Sequence, residues 1–145
     1  MARTDADTAT NTTTAFTTHP SLSFSVGSGQ TYVFSYKLLM QSGAAATGIS
    51  VGLRFPSATI VSAVAYIPVS ADGTGAQHTG WITSSGDMVT GTSMPTVSVP
   101  LLVVIEGTIR PSANGTLDFG YAAEVSTSVG VVVRQQSVGI IKNIG

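Results

Sequence analysis

Apolar and polar residues change places one by one along positions 101–125, LLVVIEGTIRPSANGTLDFGYAAEV, and this rhythm constrains the fold more than any other feature of the chain. Leu101, Val103, Ile105 and Ile109 fall on one face; Glu106, Thr108 and Arg110 fall on the other. Farther on, Leu117, Phe119, Tyr121 and Val125 alternate with Asp118, Gly120 and Glu124. A period of two belongs to a strand with one face buried and the other in water. Pro111 and the pair Asn114-Gly115 supply turn chemistry between the two runs. The stretch therefore predicts a hairpin of two long strands, with no group in it that resembles a catalyst.

The same rhythm recurs upstream and downstream. Leu22, Phe24 and Val26 alternate with serines before a Gly27-Ser28-Gly29 turn. Tyr32, Phe34, Tyr36 and Leu38 share a face, and a small-residue loop follows over 41–47. Ile49, Val51, Leu53 and Phe55 alternate with Ser50, Gly52 and Arg54 up to Pro56. Positions 60–69 form another strand that stops near Pro68, and 73–75 a flexible turn. Shorter strands are expected over 76–82 and 88–92, then at Val129, Val131 and Val133. A last strand over 138–144 is apolar enough to pair inside a sheet. Roughly nine or ten strands without a helical period predict an all-β fold, an antiparallel jelly-roll-like sandwich or barrel. Two stacked sheets would bury the alternating faces against each other.

Charged residues make up only 9% of the 145, against about 25% in an ordinary soluble domain. So few charges favour a subunit that hides surface in an assembly. A net charge of -1 with no basic run gives no electrostatic case for nucleic acid or for an anionic membrane. Cysteine is absent, which removes disulfides and thiolate metal sites. No apolar run approaches the ~20 residues of a membrane helix, and the N-terminus lacks the basic-then-apolar pattern of a signal peptide.

Residues 1–20, MARTDADTATNTTTAFTTHP, differ from the rest and cannot bury enough apolar surface to fold alone. The expectation is an extended arm closed by Pro20, ahead of a single domain over 21–145. It is either a loose terminus or a partner-binding segment laid on a neighbouring subunit, with Thr12, Thr13, Thr14 and Phe16 making the contact.

Candidate chemical groups are sparse. His19 and His78 read as surface histidines, with no carboxylate at metal-ligand spacing. Asp72 and Asp87 fit turns. Asp118 and Glu124 would stand about 20 Å apart along one strand, too far for a glycosidase pair. No nucleophile elbow or phosphate loop is present, and no catalytic residue, metal or cofactor is expected. Two readings of Glu106 stay open: a subunit interface shared with Arg110 or Arg134, or a side chain facing water, the commoner case. Tyr66 and Trp81 are either core aromatics or a sugar-stacking platform.

Three stretches carry a resemblance: TYVFSYKLLMQSGAAATGISVGLRFP at 31–56, VVIEGTIRPSANGTLDFGYAAEV at 103–125, and the tail VVVRQQSVGIIKNIG. Together they resemble a β-module of tailed-bacteriophage virion proteins. There a Tyr/Phe strand leads through a small-residue loop to a Thr-Gly-Ile strand, and an Ile-Glu-Gly-Thr strand and a Gly-Thr-Leu turn come later. Positions 70–98 match least. The resemblance implies a homotrimeric virion protein, without enzymatic activity, that is made in the host cytoplasm. Met1 lies a short way ahead of the module, which suits a capsid decoration (cement) protein better than a fibre with a long shaft. As cement, three copies would plug the expanded shell by binding the major capsid protein, arms outstretched. The alternative is a receptor-binding tip or head fibre that takes host glycans on Tyr66, Trp81 and the loop 70–87. A secreted β-sandwich enzyme is the weakest of the three, because it lacks a catalytic constellation.

Overall fold

The computed structural model describes residues 1–69 and 76–145. The expected turn at 73–75 and Asp72 lie outside the described residues. Eleven strands run in chain order: β1 (Ala2–Arg3), β2 (Thr17–Val26), β3 (Tyr32–Ser42), β4 (Ile49–Arg54), β5 (Ala58–Pro68), β6 (Gln77–Ile82), β7 (Met88–Thr90), β8 (Leu101–Pro111), β9 (Gly115–Ala123), β10 (Val131–Val133) and β11 (Val138–Asn143). Among the described residues none is helical.

The strands form two antiparallel sheets. One has seven strands in the order β1-β11-β3-β8-β5-β6, with β10 also on β3; the other has four, β2-β9-β4-β7. The pairs β2·β9, β3·β8, β4·β7 and β5·β6 are nested about the 69–76 connection. A ribbon of four strands, β2 to β5, thus lies against its own continuation, β9 to β6, and the ribbon winds so that β9 meets β4 and β8 meets β5. That winding makes the sandwich a jelly roll. The β10 and β11 strands extend the large sheet beyond β3, and β1 covers the outer edge of β11.

This topology corrects the expected hairpin over 101–125. The faces of β8 and β9 are as the alternation predicts: Val103, Ile105, Ile109, Leu117 and Phe119 are fully buried. The two strands do not pair, however. One belongs to the large sheet and the other to the small, so Pro111 and Asn114-Gly115 form an arch across the sandwich. Turn residues reverse a chain equally well within a sheet or between sheets.

The core lies between the sheets. Tyr36 of β3 is fully buried, with ring centroids 5.9 Å from Phe24 of β2 and 5.8 Å from Phe119 of β9. Its hydroxyl donates to the Leu117 carbonyl at 3.4 Å. Burial first, and the Asp118 carboxylate second, push the Tyr36 phenol well above the ordinary tyrosine range. Gly139 of β11 faces this cluster, and a Cβ there would press on both Tyr36 and Phe24.

The expected boundary at residue 20 is also corrected. Strand β2 begins at Thr17, and Pro20 lies inside it at a break in the ladder, between Thr18 paired with Gly120 and Ser23 paired with Asp118. A bulge is where a strand tolerates a residue without an N–H. The break turns His19 inward, so this histidine, expected at the surface, is only 5% exposed.

Candidate functional site

Residues 1–16 carry the short strand β1 and an isolated bridge at Asn11, with bends between them and beyond, and they are seated on their own domain. Ala2 pairs with Gly139 and Arg3 with Val138. Thr4 is fully buried. Its N–H donates to Ser137 O at 2.9 Å, its hydroxyl to Arg134 O at 3.0 Å, and its carbonyl accepts from Gln136 N at 2.9 Å. Asn11 forms a second buried knot. Its Nδ2 donates to Tyr121 O at 3.1 Å and to Thr17 Oγ1 at 3.0 Å, and its Oδ1 accepts from Thr13 N at 3.0 Å. A polar segment docks this way because edge pairing uses backbone groups that every non-proline residue carries.

Of the four expected arm contacts, three are engaged inside the chain. The Thr12 carbonyl accepts from Thr127 N at 3.0 Å and that of Thr13 from Ala123 N at 2.9 Å. Thr14 is exposed. Phe16 lies over Gly120 and Gly52, which are register partners on β9 and β4, and the Arg54 guanidinium sits 4.3 Å from its ring centroid. Four outward positions of the small sheet are buried, Ser50, Gly52, Gly120 and Ala122, while Ser25, Arg54 and Thr116 remain exposed.

Beside this segment a cavity of about 440 Å³ opens between residues 5–9 and 17–21, with His19 in its wall. His19 Nδ1 accepts from Ser21 N at 3.2 Å, which puts the proton of the neutral ring on Nε2. Nε2 is buried with no partner among the described residues. Burial lowers the pKa of His19, against a smaller raising effect of a backbone hydrogen bond.

The outer face of the large sheet is different. No element among the described residues covers it, and exposed apolar side chains stand there: Val33 36%, Ile60 50%, Trp81 69%, Leu102 50% and Ile140 46%. Ladder registers put Ile140, Ser35, Glu106, Val64 and Trp81 in one row across five strands. Glu106 thus faces outward between Ser35 and Val64, over a depression of about 380 Å³ that Trp81 also lines. Arg110 faces outward on the same strand, four residues on. Arg134 lies elsewhere and pairs with Asp7 at 3.0 Å. The expected trio of Glu106, Arg110 and Arg134 is therefore not brought together within one chain.

Tyr66 and Trp81 share this face. Tyr66 pairs with Thr79 and Val64 with Trp81, which makes the two aromatics diagonal neighbours on this face. The expectation that Trp81 is core is corrected, because its neighbour Ile82 takes the inward position at 0% exposure. Part of the 70–87 loop assigned to this platform lies outside the described residues. The alternation could also have revealed Lys37, Lys142 and Ile140, which share the face, but their neighbours across the sheet cannot be read from one strand.

At one end of the sandwich the connections 43–48, 91–100 and 124–130 are tied together: Met94 N to Ala45 O at 2.9 Å, Ser98 N to Ser42 O at 2.9 Å, and Gly43 N to Gly130 O at 3.1 Å. Their one charged residue, Glu124, accepts from Gly48 N at 2.8 Å. Val97, Val99, Val125 and Val129 are exposed here. Among the described residues no cluster of histidines and carboxylates could hold a metal. The chain matches no protein-family model, no curated protein and no solved structure with which it was compared.

Proposed function

We propose that this protein is a capsid decoration protein of a tailed phage, a trimeric plug that binds the major capsid protein on the outside of the expanded head. The observation that carries the reading is the contrast between the two outer faces. That of the small sheet is partly covered by Phe16 and its neighbours in the same chain, whereas that of the large sheet leaves Trp81, Ile60, Leu102 and Ile140 in water. A face so apolar favours association. The resemblance of 31–56, 103–125 and the tail to virion β-modules supports the same reading.

In this reading the charge-poor loop end, with Val97, Val99, Val125 and Val129, meets the shell, where few ions need be stripped of water. The mechanism is mass action: a ligand that binds only the expanded shell stabilises that shell. The arm contributes by completing its own domain rather than by crossing to a neighbour. A reconstruction of the intact virion tests the proposal. Density at local threefold axes of the head supports it, and density at a tail tip or on projecting fibres overturns it.

The diagonal pair Tyr66 and Trp81 favours a second reading, a glycan-binding tip. Specific binding on a glycan array that is lost in Trp81→Ala would establish it, and an array without signal would exclude it for the glycans displayed.

A further inference from the structure

We infer that the occupant of the large sheet's open face is a second copy of this chain, seated so that Glu106 of one copy meets Lys37 and Lys142 of the next. The inference rests on the assembly reading above and names the surface through which the copies join.

The face has two unlike halves. Over β8, β5 and β6 it carries the acid Glu106 beside the exposed Trp81. Over β3 and β11 it carries Lys37 and Lys142 around the exposed Ile140, in a second depression of about 340 Å³. The ion pairs among the described residues are Arg3 with Asp5 and Arg134 with Asp7, so Glu106, Lys37 and Lys142 have none among the described residues. One half thus carries Glu106 and Arg110 among Trp81, Ile60 and Leu102, and the other Lys37 and Lys142 beside Val33 and Ile140, so the acid of one copy can meet the two bases of the next.

Such complementarity sets register between copies. Left half against right half is a heterologous contact, and three such contacts close a ring when three sheets face a common axis. Strand spacing and rise make the face roughly 25 Å by 25 Å, on the order of 600 Å² in projection. A copy divides that area between its two neighbours, so each contact takes only about half of it, less than the ~800 Å² per partner of a standard interface, and stability rests on closing the ring. A foreign protein would have to match this same pattern, which a second copy carries already.

The test is a charge swap on the intact chain, read by sedimentation equilibrium. Glu106→Lys alone, and Lys37→Glu with Lys142→Glu, should each weaken self-association at least tenfold. An equimolar mixture of the two variants, or one chain carrying all three changes, should recover it. Because all three side chains are exposed, the melting curves of the variants should stay near that of the parent; a variant that fails to fold is replaced by Glu106→Gln, which should weaken association less. A parent chain that stays monomeric at high concentration overturns the inference. So does a parent oligomer that ignores every charge change, although that result leaves the trimeric plug standing. A swap-sensitive dimer supports the face as the joining surface and overturns the trimeric plug. Capsid binding is scored separately on purified heads, so failure of that function is distinguishable from failure of this contact.

Discussion

Phe16 occupies the room that Gly120 leaves by having no side chain; a Cβ at Gly120 would overlap the Phe16 ring. The partner glycine, Gly52, brings a second bare patch of backbone under the same ring. This contact, capped by Arg54, clips the N-terminal segment to the small sheet.

Gly120→Ala should therefore destabilise the fold by about 1–3 kcal/mol, the range for a forced overlap in a packed site. Phe16→Ala should destabilise it too, through lost packing. Combined, the two should cost less than their sum, because the atoms nearest the added methyl all belong to the Phe16 ring. Urea denaturation of the three variants checks this, and strict additivity would disprove the clip.

Asn11→Ala should destabilise the protein by about 2 kcal/mol, since it leaves the Tyr121 carbonyl short of a donor in a buried place and removes a part-buried bond to the Ala15 carbonyl. Asn11→Asp should be at least as damaging, because a carboxylate cannot donate to either carbonyl. An arm that merely trailed in water would give no change in the denaturation midpoint.

His19 makes stability depend on pH. Its folded pKa lies below the ordinary value of 6.5 because burial disfavours the charged ring. The unfolded chain then takes up a proton at higher pH than the folded one. The contribution of His19 is fully present above 6.5 and is lost as pH falls from there towards the lowered folded value. Urea midpoints between pH 8 and 5 should decline more steeply for the parent than for His19→Gln. Parallel profiles would refute the assignment.

Trp81 is the chain's single tryptophan and is 69% exposed. Dilute protein should show emission typical of a wet indole and easy quenching by acrylamide. Assembly through the large sheet's open face should shift emission to the blue and cut quenching. A concentration-independent spectrum would show that this face stays in water.

The sequence placed most strands well because alternation reports which side of a strand is buried. Tyr36, Leu53, Ile105 and Phe119 all point inward as their periodicity demands. Alternation does not report which strand lies alongside, so 101–125 looked like a hairpin although β8 and β9 belong to different sheets. Thr4 and Asn11 dock through hydrogen bonds, which leave no hydrophobic pattern, and the segment around them looked unfoldable. One signal was there to be used: Gly52 and Gly120 interrupt strands at outward positions, a mark of close approach by other groups. The candidate surface was less legible, since Glu106, Lys37 and Lys142 come together only through the ladders.

The nested pairing sets an order of events for a growing chain. The innermost pair, β5 with β6, involves near neighbours such as Ala63 and Ile82, whereas Ala2 must find Gly139. Loop closure favours the short connection, so the roll should zip from its middle outwards. On the ribosome β1 then emerges long before its seat, because Ala2 and Arg3 pair with Gly139 and Val138. Until β11 has emerged, the backbone groups of residues 2–4 remain open to other chains. In pulse-labelled hydrogen exchange, β5 and β6 amides should gain protection before those of residues 4–13.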